Sequence, residues 1–194
     1  MSTITSFSIA GWKRLLEYGS IKDIKKAVLD SRYHLSDLLE VIKELQTKEV
    51  IIEGELYLRR YYVSPKDRYA EYGVRKMVHY FATGDLDKRL HNHPWNWATS
   101  VILQGGYTEQ RLTGFSEGAV HTTEHVYRPG DINRLSGTDF HRITDVLPHT
   151  FTFFMNGPAR RPWGFLNGPA PVTDYNGDGR PADANTLGIV AYGG

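Results

Sequence analysis

The sequence predicts a mostly-β fold, an antiparallel sandwich or barrel with short helices before it and an irregular segment after it. Apolar spacing changes near Ile51, from one-faced helical stripes to a period of two. From there short strand-like runs alternate with turn chemistry, the pattern of a many-stranded antiparallel domain. Twelve tyrosines, eight phenylalanines and four tryptophans, with 19 glycines, suit pleated surfaces joined by tight corners.

Residues 10–48 read as helical. Ser20-Ile21-Lys22-Asp23 has the form of an N-cap with an acid in the first turn, and Ile21, Ile24, Ala27 and Val28 make one apolar stripe. Leu35, Leu38, Leu39, Ile42 and Leu45 make a second. Helices this short are marginal alone, so the stripes are expected to pack on the β domain or on a partner subunit. Segments 56–63, 75–82, 99–104, 106–112, 120–128, 141–146 and 150–156 read as strands. Turn signals separate them, including Thr83-Gly84-Asp85, Gly105-Gly106, Pro129-Gly130-Asp131 and Gly137-Thr138-Asp139. The organisation expected is a helical appendage over 1–50, a β domain over 51–166 and an irregular tail over 167–194.

Charge and cysteine content exclude several function classes. Lys+Arg number 23 against 22 Asp+Glu, so the chain lacks the basic excess of a nucleic-acid binder. There is no cysteine, which removes disulfides, a thiolate nucleophile and any Cys-based zinc or iron–sulfur site. No apolar run reaches the length of a membrane span, and MSTITSFSIAGWKRLLEYGS lacks the apolar core of a signal peptide. The expectation is a cytoplasmic protein with no membrane and no nucleic-acid partner. Exposed aromatic strands would suit a homodimer.

The chemistry concentrates in His91-Asn92-His93-Pro94-Trp95. On a strand, residues i and i+2 share a face about 6.5–7 Å apart, so both imidazoles can converge on one ion. His141, in a later strand-like segment, would complete a three-histidine site with open positions, the layout of a catalytic rather than a structural metal centre.

These residues resemble the cupin superfamily. Gly84, His91, His93 and Gly105 fill the frame of its first motif, and Gly130, the Gly137 turn and His141 fill its second. The strings LHNHPW, ILQGGYTE, RPGD, HRI and NGPARRPWGF look like those of bacterial and phage cupins described as similar to cysteine dioxygenase. The resemblance covers about 80–156, with 156–165 as last strand and exit, and implies a jelly-roll β-sandwich. Where most cupins place a metal-binding Glu, this chain has Trp97 or Ala98. The resemblance therefore implies a three-histidine Fe(II) centre, although imidazoles also suit Zn, Ni or Mn. Dropping the carboxylate leaves more positive charge and one more open position, which favours an anionic substrate bound beside dioxygen.

The expected activity is a metal-dependent cupin oxygenase acting on a small molecule. The rivals are an isomerase or epimerase of a sugar-like substrate and a non-catalytic ligand-binding metallo-cupin. Tyr107, after the Gly-Gly pair, and Glu109 are the catalytic candidates, set against a packing aromatic and a Glu lying behind the ligands. Arg111 shares their parity and is the expected clamp for a substrate carboxylate. Arg142 points to the opposite face, and Arg160 and Arg161 are further cations. Trp95, Trp97 and the Phe151/Phe153 strand are expected to wall the pocket, and His79 to line it or sit in the core. His121 and His125 have a zinc-like spacing, but on a strand they read as solvent-facing. Asp174-Tyr175-Asn176-Gly177-Asp178-Gly179 has the start of a calcium loop, but Asn185 stands at its twelfth position in place of an acid.

Overall fold

The computed structural model describes residues 3–30, 33–52, 54–63, 73–86, 88–116, 119–161 and 164–166. Three helices come first: α1 (Thr3–Tyr18), α2 (Ile21–Leu29) and α3 (Leu35–Ile42). Nine strands follow: β1 (Gln46–Ile52), β2 (Glu55–Tyr62), β3 (Arg75–Phe81), β4 (Trp97–Gln104), β5 (Tyr107–Ser116), β6 (Ala119–Tyr127), β7 (Ile132–Ser136), β8 (His141–Val146) and β9 (Thr150–Asn156).

The strands form a six-stranded sheet, β1-β2-β3-β9-β4-β7, and a three-stranded sheet, β6-β5-β8. All their pairings are antiparallel. From β4 onward the chain passes back and forth between the sheets, which makes a jelly roll. The β4–β5 crossing turns at Gly105 and Gly106, with φ of 69° and 146°. A side chain on Gly105 would strike Thr150, and one on Gly106 would strike the Tyr127 carbonyl, so this corner admits only glycine.

Register assigns every residue of the large sheet to a face. Tyr61, Val78, Phe153 and Val101 lie in one cross-strand row, and Arg60, His79, Thr152 and Ile102 in the next. The first row faces outward, where Val78, Val101, Leu103, Phe151 and Phe153 pack with Trp12, Leu16, Ile24, Ala27, Leu38, Val41 and Ile42 of the helices. The helices therefore form a third layer over the sheet. Asp23 N donates to Ser20 Oγ at 3.3 Å, and Ser20 N donates to Asp23 Oδ2 at 2.9 Å, a capping box that starts α2. Lys76 of β3 donates to the carbonyls of Glu17 (2.8 Å) and Gly19 (3.3 Å), closing the C-terminal end of α1. The inner face meets the small sheet through Leu58, Phe81, Ile102, Tyr107 and Ile143.

Several expectations change. Helix ends at Ile42, not near 48, because Gln46–Ile52 pairs with β2 and Arg59 bridges Glu49 across the two strands. α1 begins at Thr3, ahead of the expected start. β7 was not expected; its five residues INRLS carry too short an alternation to register. Where a last strand was expected, the described residues of this stretch, 157–161 and 164–166, form isolated bridges at Ala159 and Phe165. The tail 167–194, with the calcium-like loop, lies outside the described residues.

Candidate metal centre

His141 opens β8, on the inner face beside Ile143, and is 4 % exposed. His91 lies opposite it on an isolated bridge: His91 N donates to His141 O at 2.8 Å, and His141 N donates to His91 O at 2.9 Å. This reciprocal pair fixes both backbones side by side. The expected strand through His93 is absent, and β4 starts only at Trp97. Asn92 supplies the reason. Its backbone N–H donates to Gly164 O, and its side-chain oxygen accepts from Gly164 N, so beyond His91 the segment is pinned to the exit of the domain and not to a sheet.

The donor atoms of His91, His93 and His141 all lie within 4.8 Å of one another. Ring centroids are 4.9 Å apart for His91–His93, 4.9 Å for His91–His141 and 5.0 Å for His93–His141. His93 Nε2 and His141 Nε2 are 2.7 Å apart. Two nitrogens each roughly 2.1 Å from one ion, at right angles, stand about 3 Å apart, so the His93–His141 spacing suits a shared divalent ion. Burial, with the fields of His91, His141 and Arg60, pushes the His93 pKa well below the ordinary value. A neutral imidazole is what a metal requires.

Among the described residues no carboxylate joins this group; two stand behind it. Glu109, fully buried, has Oε1 2.6 Å from His141 Nδ1 and 3.0 Å from Asn133 Nδ2. Its Oε2 accepts from Arg111 Nη2 at 2.6 Å and from Tyr127 Oη at 3.4 Å. Burial raises the Glu109 pKa, but His141, Asn133 and Arg111 outweigh burial and hold it at about 2. Asp85 Oδ2 accepts from Ile143 N and lies 3.9 Å from His91 Nδ1, while its Oδ1 accepts from Tyr57 Oη at 2.6 Å.

The other expected site residues fall in varied places. Arg111 is engaged by Glu109, by Asn133 Oδ1 (2.8 Å) and by Arg134 O (3.2 Å), so it steadies the protein's own carboxylate rather than a substrate's. Tyr107 sits in the inner apolar core, its hydroxyl accepting from Asn133 Nδ2 at 3.0 Å, and burial raises its pKa. It is tied to Glu109 through Asn133, not placed against the histidines. Trp95 stacks on His93, with centroids 4.5 Å apart and planes at 17°. Trp97 has the parity of Thr99 and Val101, which face away from the interior, and its indole lies beside Gly157. Phe151 and Phe153 likewise face the helices; it is Phe154 that points inward, 5.3 Å from Trp95. Arg142 turns outward to Gln110 and Lys88 O. His121 and His125 are exposed on β6.

His79 is buried on the inner face and stacked on Phe154 at 4.6 Å, and its Nε2 has no hydrogen-bond partner. Its row-mates Arg60 and Thr152 also hold buried partnerless atoms, Nε and Oγ1, and so does Asn156, at Oδ1, further along β9. Sequence reasoning missed Arg60, Asp85, Asn133 and Thr152. Asp85 looked like turn chemistry, Asn133 lies in the unexpected β7, and the β2 and β9 residues carry no motif.

Comparison of the sequence with protein-family models and with curated proteins gives no match. Among solved structures the chain is similar to a putative mannose-6-phosphate isomerase from Ralstonia eutropha JMP134. That match has 14 % identity, covers 56 % of this chain and 92 % of that one, and has a TM-score of 0.42. It is also similar to Fe(II)-HppE with the alternative substrate (S)-1-HPP (10 % identity, 80 % and 97 % covered, TM-score 0.45). A third is a mutant of Bacillus subtilis oxalate decarboxylase (14 % identity, 66 % and 31 % covered, TM-score 0.46). The chain's own two-sheet jelly roll, with histidines of both expected motif frames brought together, is the arrangement that the sequence resemblance implied.

Proposed function

We propose that this chain is a metal-dependent cupin oxygenase, with Fe(II) as the ion, acting on a small acidic molecule. The observation that carries the proposal is the convergence of three imidazoles with both nearby carboxylates held behind them. His91, His93 and His141 would hold the ion. Three neutral ligands leave it strongly positive with open positions, and it would supply a shared binding point for an anionic substrate and dioxygen.

The chain's own part is binding and exclusion of water. Arg60 is half-buried on the inner face, its field reaches both His79 and His93, and no ion pair of its own is found among the described residues. It takes the role of substrate anchor that the sequence had suggested for Arg111. Thr152 and His79 offer hydrogen-bonding atoms beside it, while Trp95 and Phe154 form an aromatic wall.

The test is anaerobic reconstitution with Fe(II), followed by oxygen-uptake measurements over a panel of small carboxylates. Metal binding that is lost in His93→Ala, with uptake that depends on one of the acids, supports the proposal. A wild-type protein that binds no Fe(II) overturns it. Bound metal with substrate converted and no oxygen consumed points instead to the isomerase reading, for which His79, held neutral by burial and with no partner at Nε2, is the acid–base candidate.

A further inference from the structure

We propose that Glu109 is a positioning residue that fixes the proton of His141 on Nδ1 and so presents the Nε2 lone pair to the centre. The inference rests on the reading of His91, His93 and His141 as metal ligands. It goes further by separating His141, set in advance, from His93, which must change.

The argument begins with donors and acceptors. Glu109 receives Arg111 Nη2, Asn133 Nδ2 and Tyr127 Oη, all hydrogen-bond donors. A carboxylate surrounded in this way is an acceptor only. The 2.6 Å contact between Oε1 and His141 Nδ1 therefore requires the hydrogen to sit on Nδ1. A charge-assisted bond of that length, in a network where Glu109, His141 and Asn133 are buried, holds both the tautomer and the ring plane.

An imidazole whose single ring hydrogen sits on Nδ1 can only accept at Nε2. The 2.7 Å contact with His93 Nε2 then makes His93 the donor. A relay follows, in which His93 Nε2–H points at His141 Nε2 and His141 Nδ1–H points at Glu109. An arriving ion finds His141 already in its ligating form. His93 must move its hydrogen to Nδ1 and give up that bond.

Arg111 belongs to the device. Its Nη2, which binds Glu109, also donates to Asn133 Oδ1, and its Nη1 donates to Arg134 O, both of β7, so the carboxylate is fixed from a third strand. Pairing ionised Glu109 with Arg111 also offsets its charge, so that it repels an anionic substrate less.

The test uses the metal-free full chain. Long-range proton–nitrogen NMR at a pH well above the ordinary histidine range reads the tautomers directly, and Zn(II) calorimetry reads affinity. Wild type is expected to show His141 as Nδ1–H and His93 as Nε2–H. Glu109→Gln keeps an acceptor oxygen and should retain the His141 tautomer. The double variant Glu109→Leu with Arg111→Leu removes both charges together, which protects the fold, and should return His141 to the tautomer mixture of a free imidazole. Its Zn(II) affinity should fall about 10- to 100-fold. A double variant that keeps Nδ1–H and wild-type affinity overturns the inference. A wild type that shows the expected tautomers but binds no metal leaves the positioning role standing and removes the metal-ligand reading instead.

Discussion

The two faces of the six-stranded sheet solve opposite problems with neighbouring residues. On β9, Phe151 and Phe153 point outward and are sealed under the helices, while Thr152, Phe154 and Asn156 point into the jelly roll. The outward row is apolar and closely packed. The inward row carries Arg60 Nε, His79 Nε2, Thr152 Oγ1 and Asn156 Oδ1, all buried without partners. Unpaired buried polar atoms cost stability, so a strand holding them on one face needs a strong core on the other. The helical layer supplies that core. Stability and chemistry are thus separated by the thickness of one strand.

That separation can be broken most forcefully at Phe153. Phe153→Ala should destabilise the protein by about 3–5 kcal/mol in denaturant unfolding, the cost of emptying a fully buried aromatic site. Metal affinity, measured on the fraction that stays folded, should hardly move. Equal loss of both would show that the two faces are not independent.

Acid provides the next contrast. His79 and His93 are held neutral, mainly by burial, with pKa values well below those of the unfolded chain. The unfolded state binds more protons, so stability should be full above the unfolded histidine value and fall as pH drops below it. Thermal unfolding across that window should show the loss in metal-free wild type. His79→Phe, which removes one of the two groups, should flatten the slope; an unchanged slope would show that His79 is not held neutral.

A smaller effect is expected at the helical layer's edge. Ser20→Ala deletes the capping box and should cost about 1 kcal/mol, read by chemical denaturation, with no change in metal binding. The smallest belongs to the inner row. Thr152→Val removes a hydroxyl without a partner, and stability should change by no more than about 0.5 kcal/mol. A large loss there would mean that Thr152 is already bonded in solution, by an ordered water.

Much of this arrangement was legible in the amino acids. The β-rich core, the helical stripes, the Ser20 cap and the convergence of His91, His93 and His141 all follow from periodicity, capping chemistry and motif frame. Parity misled at Trp97, because the sheet begins only there and the i, i+2 rule does not reach back through Pro94 to His93. It misled again at Phe151 and Phe153, where apolar character was equally compatible with either face until the helices chose one. Arg111 illustrates a further limit. Its parity correctly turned it inward, but parity cannot show that a buried carboxylate two residues earlier already holds the guanidinium. Arg60 and Asp85 had no local signal at all, since what matters about them is what lies across the sheet.

The backbone rung shared by His91 and His141 has a consequence for how this chain would discriminate among cations. Two of the three rings hang from peptide groups bonded to each other, so their spacing resists change. Only His93, on a segment anchored through Asn92, has latitude to advance or retreat. Ionic radius would accordingly be gauged at that single ring, and exchanging one cation for another should register first in the packing of His93 against Trp95.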